Sequence, residues 1–525
     1  MAKICLCLTA KTLQRNLEIL DKYRSYADMA ELRVDCLDPD ERLLIRRFPE
    51  QAGIPIVLVI RREVDGGWYV GGEGARISMM ARGLAYAEAD RRRNFAYLDI
   101  EEDLDVPSLE EAARTFGTRI IRSYHNIKGA NVDLSAKIRS MRHSGDEIVK
   151  IVVAAQSTGD VLNLLQAGKK YEGQEKILIG IGHYGVYSRI LAEQFGSFIS
   201  YTTAFSETDA PPAAPGQIDI RDMVDLYHFR DITKNTKIYG VVGYPLKATG
   251  SPHFFNTVFK LEGTDAVYVP FPADSITDFM EIAQELNVEG ISVTTPYKEA
   301  VISFLSSMSS EVQSIGACNT LSRIPQGWLG TNTDVKGFSD SLLAFLDKQN
   351  IKRQRVTVIG AGGVARAVAF ELYRLGAKAL ILNRTAQKAR SLAALYKFSW
   401  GGLNDREIEK VDKYRDILIQ ATSVGMEGHD PAERPGQKNL PGHKDLPVSK
   451  DPLAMYNFFG REKVMDLVYE PKMTTFLKRA SIAGCRVQNG YDMLIRQARY
   501  QYTQFTGKEF PEHISSKVQL FPGTF

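Results

Sequence analysis

The segment VTVIGAGGVARAV, Val356–Val368, carries the most information about the fold of this chain. Its apolar residues are typical of a strand and run directly into Gly360-x-Gly362-x-x-Ala365, after which small residues begin a helix. The first glycine permits a tight turn, the second lets the backbone approach a pyrophosphate, and a small third residue lets helix and strand pack closely. The amino terminus of the helix then faces the phosphates. The segment therefore predicts a dinucleotide-binding, Rossmann-type domain.

The end of the next predicted strand, LILNRT, distinguishes between two dinucleotides. NAD-binding domains usually carry Asp or Glu at this point, whereas this chain has Asn383-Arg384-Thr385. An acidic residue would repel a 2′-phosphate, and Arg384 can pair with one. The sequence therefore favours NADP over NAD. The alternative, a glycine-rich turn that binds no cofactor, is disfavoured by the preceding strand and by Arg384.

Length and composition are typical of a globular protein with several domains. The chain has 525 residues, which suggests about three domains. Hydrophobic residues make up 44% and charged residues 25%, and 66 basic against 63 acidic residues give a net charge of +3. This balance gives no reason to expect binding to nucleic acid or to an acidic membrane. No apolar run reaches the ~20 residues of a membrane span, and the amino terminus does not resemble a signal peptide.

Cysteine usage indicates a reducing compartment. The chain has five cysteines, an odd number without a CxxC pair, which indicates buried thiols rather than disulfides. They are Cys5, Cys7, Cys36, Cys318 and Cys485. We therefore expect a cytoplasmic protein, and no cluster in the sequence suggests a metal site.

A different pattern precedes the cofactor segment. Eight short apolar segments recur, separated by helical patterns such as Leu13–Tyr26 and Ala75–Arg93. Eight strand-then-helix units over about 230 residues predict a (β/α)8 barrel. The predicted strands are Ile4–Leu8, Met29–Val34, Ile54–Ile60, Ala96–Ile100, Arg119–Tyr124, Ile148–Val153, Ile177–Gly182 and Phe198–Thr203.

In such a barrel the chemistry lies at the carboxyl ends of the strands, where Lys150 is the most unusual residue. It lies within the apolar strand EIVKIVV, and burying its charge is costly. Burial favours the neutral amine, the form that attacks a ketone to give a Schiff base. The alternative is a lysine that is ion-paired to a neighbouring glutamate for structural reasons.

Other strand-end residues complete a candidate catalytic group. His125 can act as a base or an acid, and Glu101 can orient it. Arg33, Arg61 and Arg189 at the same mouth suggest an anionic substrate, because guanidinium groups bind carboxylates through two hydrogen bonds. Surface solvation is the alternative for each arginine taken alone.

An ordered set of short segments spans residues 1 to 228. They are ELRVD (Glu31–Asp35), RREVDGG (Arg61–Gly67), LDIE (Leu98–Glu101), SYHN (Ser123–Asn126), IVKI (Ile148–Ile151), GVYSR (Gly185–Arg189) and PGQ (Pro215–Gln217). In these segments the chain resembles type I 3-dehydroquinate dehydratase. The resemblance implies that Lys150 forms an imine with the C3 ketone of dehydroquinate, while His125 removes the C2 proton and protonates the departing C1 hydroxyl. It also implies that Glu101 orients His125, that Arg189 holds the carboxylate, and that the ring hydroxyls contact Glu31, Arg33, Arg61 and Gln217.

Two positions depart from the usual pattern of that family. Ala213 takes the place of a serine two residues before the proline of PGQ, and Ile181 takes the place of a methionine before Gly182. The missing hydroxyl removes one hydrogen bond of this loop, worth ~1 kcal/mol. We expect weaker substrate binding or a looser loop, with the chemistry intact.

The second half begins with a predicted strand, KIYGVVG, at Lys237. Polar residues then recur at strand-to-loop junctions, a pattern suited to a polyhydroxylated ligand. Lys298 and Asp334 form the obvious charged pair, which can move a proton to or from a carbinol while hydride moves to the nicotinamide. A structural salt bridge is the alternative for this pair. The neutral candidates are Thr249, Ser251, Thr294, Asn319 and Gln497.

A second ordered set of segments lies between residues 237 and 525. They are GYPLKATGSPHFFN (Gly243–Asn256), GISVTTPYKE (Gly290–Glu299), IGACNTL (Ile315–Leu321), GTNTD (Gly330–Asp334), QATSVGM (Gln420–Met426), DLVYEP (Asp466–Pro471) and NGYDMLIRQ (Asn489–Gln497). In their order this half resembles shikimate dehydrogenase. The resemblance implies that Lys298 and Asp334 are catalytic and that Thr249 and Ser251 bind the carboxylate. It assigns the ring hydroxyls to Thr294, Asn319, Tyr469 and Gln497. It assigns NADP to Gly360, Ala361, Gly362, Gly363, Val364, Asn383, Arg384 and Thr385, with Thr422 and Gly490 nearby.

This half also departs from its family. Ala248-Thr249-Gly250-Ser251-Pro252 stands where HSxSP is usual, Phe255-Asn256 stands where HN is usual, and Ser292 replaces the Asn of NVT. The extra methyl group of Thr249 at the carboxylate leaves the choice between shikimate and quinate open. The proline-rich segment Glu427–Pro452 is predicted to be a solvent-facing insertion rather than a lid.

We therefore predict an α/β protein, with an N-terminal (β/α)8 TIM barrel followed by a two-domain α/β dehydrogenase that contains a Rossmann-type NADP domain. The predicted bounds are 1–228 for the barrel, 229–236 for a linker, 237–340 with 489–525 for the substrate-binding domain, and 341–488 for the NADP-binding domain. The predicted function is bifunctional within the shikimate pathway: 3-dehydroquinate is dehydrated to 3-dehydroshikimate, which NADPH reduces to shikimate. The alternatives are a quinate preference in the second half, or an NADPH-binding regulatory protein with a decayed barrel.

Overall fold

The computed structural model describes residues 1–84, 91–129, 133–141, 146–171, 173–246, 249–348, 350–426 and 450–518. The chain divides into two compact units, which we call unit 1 (Met1–Glu289 with Ser516–Phe525) and unit 2 (Gly290–Ser515). Within the described residues, no helix combines the length and the apolar character that a membrane span requires. The five cysteines are free thiols.

Unit 1 begins with a barrel of parallel strands. They are β1 (Lys3–Leu8), β2 (Met29–Arg33), β3 (Ile56–Val59), β4 (Tyr97–Glu101), β5 (Arg119–Asn126), β6 (Ile148–Ala154), β7 (Lys176–Ile181), β8 (Ile199–Thr203) and the short β9 (Ile218–Asp219). Neighbours in the sheet follow the order β7-β6-β5-β4-β3-β2-β1-β8-β9. A parallel bridge between Lys176 and Ser197 joins β7 to the residues before β8 and closes the barrel. All eight predicted strands are therefore present, with ends within two residues of the prediction.

Helices cover the outside of the barrel, which explains why its strands are apolar on both faces. They are α1 (Leu13–Tyr23), α2 (Phe48–Ala52), α3 (Glu73–Leu84), α4 (Pro107–Thr115), α5 (Leu134–Ser140), α6 (Thr158–Lys170) and α7 (Val186–Ile190). Helix α6 begins with a reciprocal capping box between Ser157 and Asp160, which fixes where the helix starts. The predicted helix over Ala75–Arg93 corresponds to α3 up to Leu84, and residues 85–90 lie outside the described residues.

Unit 1 continues past the barrel into a strand–helix–strand–helix segment. Its elements are β10 (Lys237–Gly243), α8 (Ser251–Leu261), β11 (Ala266–Pro272) and α9 (Ile276–Glu285). Strands β10 and β11 are parallel, as a crossover through a helix requires. The buried Asn256 side chain donates to the Tyr268 carbonyl at 2.9 Å and accepts from the Tyr268 N–H at 2.7 Å, which ties α8 to β11.

The next elements along the chain are strands of mixed direction, followed by a parallel sheet. The first part comprises β12 (Val288–Val293), whose first two residues belong to unit 1, and the following elements of unit 2: β13 (Ser307–Met308), α10 (Ser310–Ile315), β14 (Thr320–Ile324), β15 (Gly327–Thr331) and α11 (Thr333–Leu346). Strand β14 pairs antiparallel with both β12 and β15. The second part comprises β16 (Arg355–Ile359), α12 (Gly363–Arg374), β17 (Lys378–Asn383), α13 (Ala386–Tyr396), β18 (Ser399–Gly402), α14 (Asp405–Ile408), β19 (Ile417–Gln420), β20 (Lys463–Asp466), α15 (Thr475–Ile482), β21 (Arg486–Gln488) and α16 (Tyr491–Thr506).

The strand order of the parallel sheet is that of dinucleotide-binding domains. It runs β18-β17-β16-β19-β20-β21, which is 3-2-1-4-5-6 when β16 is counted as the first strand. The order reverses between β16 and β19, and ligands bind in the crevice at such a point. The predicted α/β class, the barrel and the Rossmann-type sheet are thereby confirmed. The predicted insertion at Glu427–Pro452 lies outside the described residues over 427–449.

Candidate active sites

The register of the barrel strands places Lys150 beside buried acids. Glu101 lies opposite Ser123, and Ser123 lies opposite Lys150, in one row across β4, β5 and β6. The Lys150 Nζ atom donates to Asp99 Oδ2 at 2.8 Å and lies 3.5 Å from Glu31 Oε2. The lysine therefore has an aspartate, rather than a glutamate, as its nearest carboxylate partner.

Asp99 connects Lys150 to a second buried cation. The sequence places it with Glu101 at the end of the fourth predicted strand, but no catalytic or binding role was predicted for it. Its Oδ1 atom accepts from Arg61 at 2.8 Å and from the Ser123 hydroxyl at 2.6 Å. Burial alone would raise the pKa of Asp99, but Arg61 and Lys150 hold that pKa well below its ordinary value. Asp99 alternates with Glu101 on β4, so both side chains point to the same face.

Glu101 lies at the predicted strand end but contacts two arginines instead of His125. Its Oε1 atom accepts from Arg61 at 2.8 Å, and its Oε2 atom accepts from Arg76 at 2.7 Å. The Nδ1 atom of His125 is buried and has no hydrogen-bond partner in the described part of the chain. The orienting contact expected between Glu101 and His125 is therefore absent, because guanidinium groups take both carboxylate oxygens. Arg76 lies on helix α3 rather than on a barrel strand, and it was not among the residues predicted from the sequence.

The environment of His125 favours the neutral imidazole. The residue lies opposite Val152 on β6, two residues beyond the row that contains Lys150 and on the same face of the sheet. Burial, reinforced by Arg61 and Lys150, holds the pKa of His125 well below its usual range against the opposing effect of Asp99. A neutral imidazole can accept a proton from a substrate carbon.

Two of the predicted substrate-binding residues are engaged with other protein groups. Arg33 binds Asp35 through two hydrogen bonds of 3.0 and 2.7 Å, and Asp35 also accepts from the Arg61 N–H. Glu31 accepts a contact from the Cys7 thiol at 3.7 Å in addition to that from Lys150. These side chains are therefore fixed in place.

Arg189 differs from the other arginines of the barrel. It lies on α7, is 2% exposed, and donates to the Tyr201 carbonyl at 3.3 Å. Its Nε atom and the Tyr201 hydroxyl are buried without a hydrogen-bond partner among the described residues. Burial lowers the pKa of Arg189 to about 10. Buried polar atoms without partners are uncommon in native proteins, and here they indicate a polar ligand.

A count of charges in the barrel gives the same indication. The buried cations of the site are Arg33, Arg61, Arg76, Lys150 and Arg189, and the buried carboxylates are Glu31, Asp35, Asp99 and Glu101. Arg33, Arg61, Arg76 and Lys150 each form an ion pair with a carboxylate, and Arg76 also pairs with the partly exposed Glu73, whereas no carboxylate pairs with Arg189 among the described residues. An anionic ligand would supply the missing partner of Arg189.

The loop that contains the PGQ segment is held against the barrel. The Gln217 side-chain oxygen accepts from the Ala213 N–H at 2.8 Å, and its amide nitrogen lies 3.2 Å from Cys7 Sγ. A Cβ atom at Gly216, whose φ is +77°, would lie 2.6 Å from the Gly182 carbonyl oxygen, so only glycine allows this approach. Backbone contacts therefore hold the loop at the position where Ala213 lacks a hydroxyl.

The predicted carboxylate-binding pair of the second half lies in unit 1. The Thr249 and Ser251 hydroxyls are 3.3 Å apart, and the Ser251 N–H lies 3.3 Å from Thr249 Oγ1. Helix α8 begins at Ser251, so both hydroxyls lie at a helix amino terminus, which favours anions. Ala248, the departure that precedes them, lies outside the described residues.

Lys298 and Asp334 form a direct pair in unit 2. The Lys298 Nζ atom donates to Asp334 Oδ2 at 2.6 Å, and both side chains are largely buried. Asp334 lies in the first turn of α11, and the Lys298 carbonyl accepts from the Cys318 N–H at 2.7 Å. A Cβ atom at Gly363 would lie 3.1 Å from Lys298 Cδ, so the fingerprint segment borders this lysine.

The predicted ring-hydroxyl binders divide into two groups. The Asn319 side chain accepts from the Thr333 N–H at 2.8 Å, and the Thr333 hydroxyl lies 3.3 Å from Gln497 Oε1, so these three residues are connected. Thr294 directly follows β12 and is partly buried, and Tyr469 follows β20 with its pKa raised by burial. Asn319 and Gln497 are thus brought together.

One departure from the family pattern has a structural partner. The Ser292 hydroxyl donates to Gln501 Oε1 at 2.9 Å, and the Gln501 amide donates to the Thr320 hydroxyl at 3.0 Å. These three polar groups are buried and satisfy each other. The replacement of Asn by Ser at this position is therefore accommodated by α16.

The fingerprint glycines occupy the positions that their predicted roles require. Gly360 has a φ of +123°, and a Cβ atom there would lie 2.9 Å from the Ala421 carbonyl oxygen. A Cβ atom at Gly362 would have no neighbour within 4 Å, so the backbone before α12 is open to a ligand. Ala361 and Val364 pack against the core of the parallel sheet, where Ala365 is fully buried.

The remaining predicted cofactor residues surround the same edge of the sheet. Asn383 ends β17 and its side chain donates to the Thr385 carbonyl at 3.0 Å, while Arg384 and Thr385 are exposed. Thr422 follows β19, and its Cγ2 atom would lie 3.0 Å from a Cβ at Gly360. A Cβ atom at Gly490 would lie 2.1 Å from the Leu467 carbonyl oxygen, so Gly490 packs against the residues after β20.

The sequence matches known families over both halves. Residues 4–234 match Type I 3-dehydroquinase, residues 241–321 match the Shikimate dehydrogenase substrate binding domain, and residues 343–426 match Shikimate / quinate 5-dehydrogenase. These matches and the two sites define the class: a dehydratase barrel joined to a dinucleotide-dependent dehydrogenase.

Similar proteins extend this result to nearly the whole chain. A chloroplastic bifunctional 3-dehydroquinate dehydratase/shikimate dehydrogenase of Arabidopsis thaliana is 30% identical over 514 residues, covering 93% of this chain and 79% of that protein. A shikimate dehydrogenase (NADP(+)) of Pyrococcus abyssi is 34% identical over 272 residues, covering 52% and 92%. A solved dehydroquinate dehydratase and shikimate dehydrogenase from S. pombe is 22% identical, covers 98% of both chains and has a TM-score of 0.42.

The chain belongs to the bifunctional 3-dehydroquinate dehydratase/shikimate dehydrogenase family. The resemblances inferred from the two sets of motifs are thereby confirmed. The roles of individual residues within the family remain predictions from the motifs and from the geometry described above.

The pH dependence of dehydration provides a test of the state of His125. Because its pKa is lowered, the imidazole stays neutral as the pH falls through the ordinary range for histidine. We expect the acidic limb of kcat/KM for 3-dehydroquinate to lie below pH ~6.5, the ordinary histidine value. Initial rates of dehydration between about pH 5 and pH 8 provide the measurement. An acidic limb centred above the ordinary value would contradict a buried, neutral His125.

Proposed function

We propose that the barrel converts 3-dehydroquinate to 3-dehydroshikimate and that the second half reduces this product to shikimate. The observation that carries the barrel assignment is the combination of a buried amine, Lys150, with one uncompensated buried cation, Arg189. An amine suits a ketone, and an unpaired guanidinium suits a carboxylate. 3-Dehydroquinate contains both groups in one small ring.

In the dehydratase step Lys150 first gives up its ammonium proton, and its Nζ atom then attacks the C3 carbonyl carbon. The resulting carbinolamine takes up a proton on its hydroxyl group and loses water to form the imine. The neutral His125 removes a proton from C2, and the electrons of that bond move toward the imine. His125 then returns the proton to the C1 hydroxyl, which leaves as water. Hydrolysis of the imine releases 3-dehydroshikimate and regenerates Lys150. Arg189 holds the carboxylate, and Glu31, Arg33, Arg61 and Gln217 line the ring.

The reductase step uses the Lys298–Asp334 pair. Lys298 Nζ and Asp334 Oδ2 lie 2.6 Å apart, so a proton can pass between them. The pair can therefore donate a proton to the oxygen of the substrate carbonyl as that carbonyl becomes an alcohol. Thr249 and Ser251 hold the carboxylate, and Thr294, Asn319, Tyr469 and Gln497 bind the ring hydroxyls. The alcohol oxygen thereby receives its proton from the protein.

NADP is the cofactor of the second half, and it supplies the hydride when bound. The residues fit this dinucleotide because Gly362 leaves the backbone before α12 open and Arg384 is exposed beside the end of β17. Arg384 pairs with the 2′-phosphate that distinguishes NADP from NAD. The other residues that hold NADP are Gly360, Ala361, Gly363, Val364, Asn383 and Thr385, with Thr422 and Gly490 nearby. Relatives named shikimate dehydrogenase (NADP(+)) support this assignment.

The domain bounds and the compartment form part of the proposal. The domains are the barrel over 1–228, a linker over 229–236, a substrate-binding domain over 237–340 with 489–525, and an NADP-binding domain over 341–488. Strand β10 begins at Lys237, which supports the proposed boundary between the linker and the substrate-binding domain. Five free thiols support a reducing compartment, which we propose to be the cytoplasm, and small-molecule substrates are the proposed partners.

Reductive trapping provides the test of the dehydratase assignment. When the protein is incubated with 3-dehydroquinate and borohydride, we expect a mass increase on Lys150, because borohydride reduces an imine to a stable secondary amine. Intact-protein and peptide mass spectrometry locate the adduct. Lys176 is the matched control, since it is also a buried lysine of a barrel strand.

The same experiment separates the enzyme from a regulatory protein with a decayed barrel. Lys150→Met should lose both the adduct and dehydration, whereas Lys176→Met should retain the adduct if it folds. An unmodified Lys150 in a folded, ligand-bound protein would overturn the dehydratase mechanism and favour the decayed barrel.

Lys298→Ala provides a test of the reductase site. We expect loss of 3-dehydroshikimate reduction by at least ~100-fold, the lower range for a proton-transfer residue, with dehydration unchanged. The reason is that Lys298 lies in unit 2, whereas the proposed dehydratase residues lie in unit 1. Each reaction is assayed separately, with Lys336→Ala as the control for a lysine of the same unit. A parallel loss of dehydration in a folded protein would show that the two sites are not chemically independent.

Arg384→Ala provides a test of cofactor choice. We expect the KM for NADPH to rise about tenfold or more while the KM for NADH stays unchanged, because the lost ion pair involves the 2′-phosphate alone. Arg390→Ala, on the following helix α13, is the matched control. An equal rise for both cofactors would contradict a contact with the 2′-phosphate.

A quinate dehydrogenase is the second candidate for this half. The extra methyl group of Thr249 motivates it, because Thr249 is proposed to contact the carboxylate. Comparison of quinate and shikimate oxidation with NADP, in the protein and in Thr249→Ser, distinguishes the two. A higher kcat/KM for quinate in the unaltered protein would replace the shikimate assignment.

A further inference from the structure

Two helices of the barrel site pack against the segment that follows the barrel. Helix α6 follows β6, which contains Lys150, and helix α7 contains Arg189. Within unit 1, α6 packs against α9 and α7 packs against β11. Both α9 and β11 lie beyond Lys237, in the dehydrogenase half of the sequence. The support of the dehydratase site is therefore not confined to the barrel.

The contact at the start of α6 is specific and buried. The Thr158 N–H and hydroxyl both donate to Asp274 Oδ1, at 2.8 and 2.6 Å. The Asp274 N–H lies 3.0 Å from the Thr158 hydroxyl oxygen, so the contact is reciprocal. Thr158 is 1% exposed. This arrangement fixes the amino terminus of α6 to the residues just after β11.

The contacts at α7 are aromatic. The Tyr187 ring, on α7, meets the Phe271 ring edge-on with centroids 5.0 Å apart, and both rings are buried. Tyr184, in the loop before α7, stacks on Tyr244 with centroids 6.2 Å apart and ring planes 8° from parallel. Each pair joins a residue of the barrel to one of the dehydrogenase half.

Helix α7 needs such support because it is only five residues long. A helix of this length is not stable on its own, so neighbouring contacts determine where it lies. On the barrel side it approaches β7 so closely that a Cβ atom at Gly185 would lie 2.2 Å from the Gly180 carbonyl oxygen. On the other side Phe271 contacts Tyr187 of the helix, and Tyr244 stacks on Tyr184, two residues before the helix begins. Arg189, two residues after Tyr187, is carried by a helix held between the two.

We propose that Tyr244 and Phe271 are positioning residues for the dehydratase reaction, and that they act through α7 on Arg189. The inference rests on the proposed role of Arg189 as the carboxylate-binding residue. Neither aromatic residue belongs to the barrel, and neither touches Lys150 or His125 in the described contacts. Loss of either contact would let α7 shift and would weaken carboxylate binding without altering the chemistry at Lys150.

The experiment compares full-length variants at this contact. Tyr244→Ala removes a half-buried stack, and Phe271→Leu removes a ring while keeping an apolar side chain in case the first variant alters folding. We expect each to raise the KM for 3-dehydroquinate about three- to tenfold, the range that an aromatic pair contributes, with kcat unchanged. Borohydride trapping at saturating 3-dehydroquinate should remain complete.

A matched control and a double variant make the result decisive. The control is Lys169→Ala, which removes an exposed ion pair between α6 and α9, in which Lys169 Nζ lies 2.7 Å from Glu285 Oε2. Because this ion pair does not involve α7, the variant should leave the KM for 3-dehydroquinate unchanged. In an Arg189→Gln background, Tyr244→Ala should add no further rise in KM, because residues that act through one another are not additive.

The outcomes separate this inference from the proposed function. If Arg189→Gln raises KM but Tyr244→Ala and Phe271→Leu do not, or if their effects add to that of Arg189→Gln, the positioning role is overturned and the proposed function stands. If Arg189→Gln itself leaves KM unchanged, the proposed carboxylate contact fails. A fall in kcat with unchanged KM would also overturn the positioning role.

Discussion

The pairing of Lys150 and Arg61 with the single carboxylate of Asp99 is the interaction on which the barrel site depends. A buried ion pair is strongly destabilised when either partner is removed, because the remaining charge is left without solvent or a counter-charge. Asp99 therefore fixes the positions of both cations, and Glu101 fixes the other side of Arg61. The register of the barrel strands places these side chains on one face of the sheet, so the arrangement of the charged groups follows from the way the strands pair in the barrel.

The fold was largely predictable because its signals are local. An apolar segment, a helical spacing and a glycine that needs a positive φ each lie within a few residues, so the eight barrel strands and Gly360 were found from the sequence. The partners within the site were less predictable. Glu101 was expected beside His125 but binds Arg61 and Arg76, because Arg76 comes from a helix whose position depends on tertiary packing. No local sequence pattern predicts a contact between a helix residue and a strand end, such as that of Arg76 with Glu101.

In the dehydrogenase half, one glycine satisfies two demands. Gly363 begins the helix after the cofactor turn, and a side chain there would meet the stem of Lys298. The resemblance to shikimate dehydrogenase assigned Gly363 to NADP, but its closeness to the lysine was not predictable, since the two lie 65 positions apart in the sequence. Gly363 therefore lies beside both the proposed cofactor site and the proposed proton-transfer pair.

The burial of Arg189 has a consequence for how the two halves respond to ionic strength. Mobile ions screen exposed charges strongly at physiological ionic strength and buried ones much less. Arg189 is 2% exposed, whereas Arg384 lies on the surface. Dissolved salt should therefore weaken the proposed contact of Arg384 with the 2′-phosphate more than the proposed contact of Arg189 with the substrate carboxylate. As salt concentration rises, we therefore expect binding of the cofactor to weaken before binding of the dehydratase substrate does.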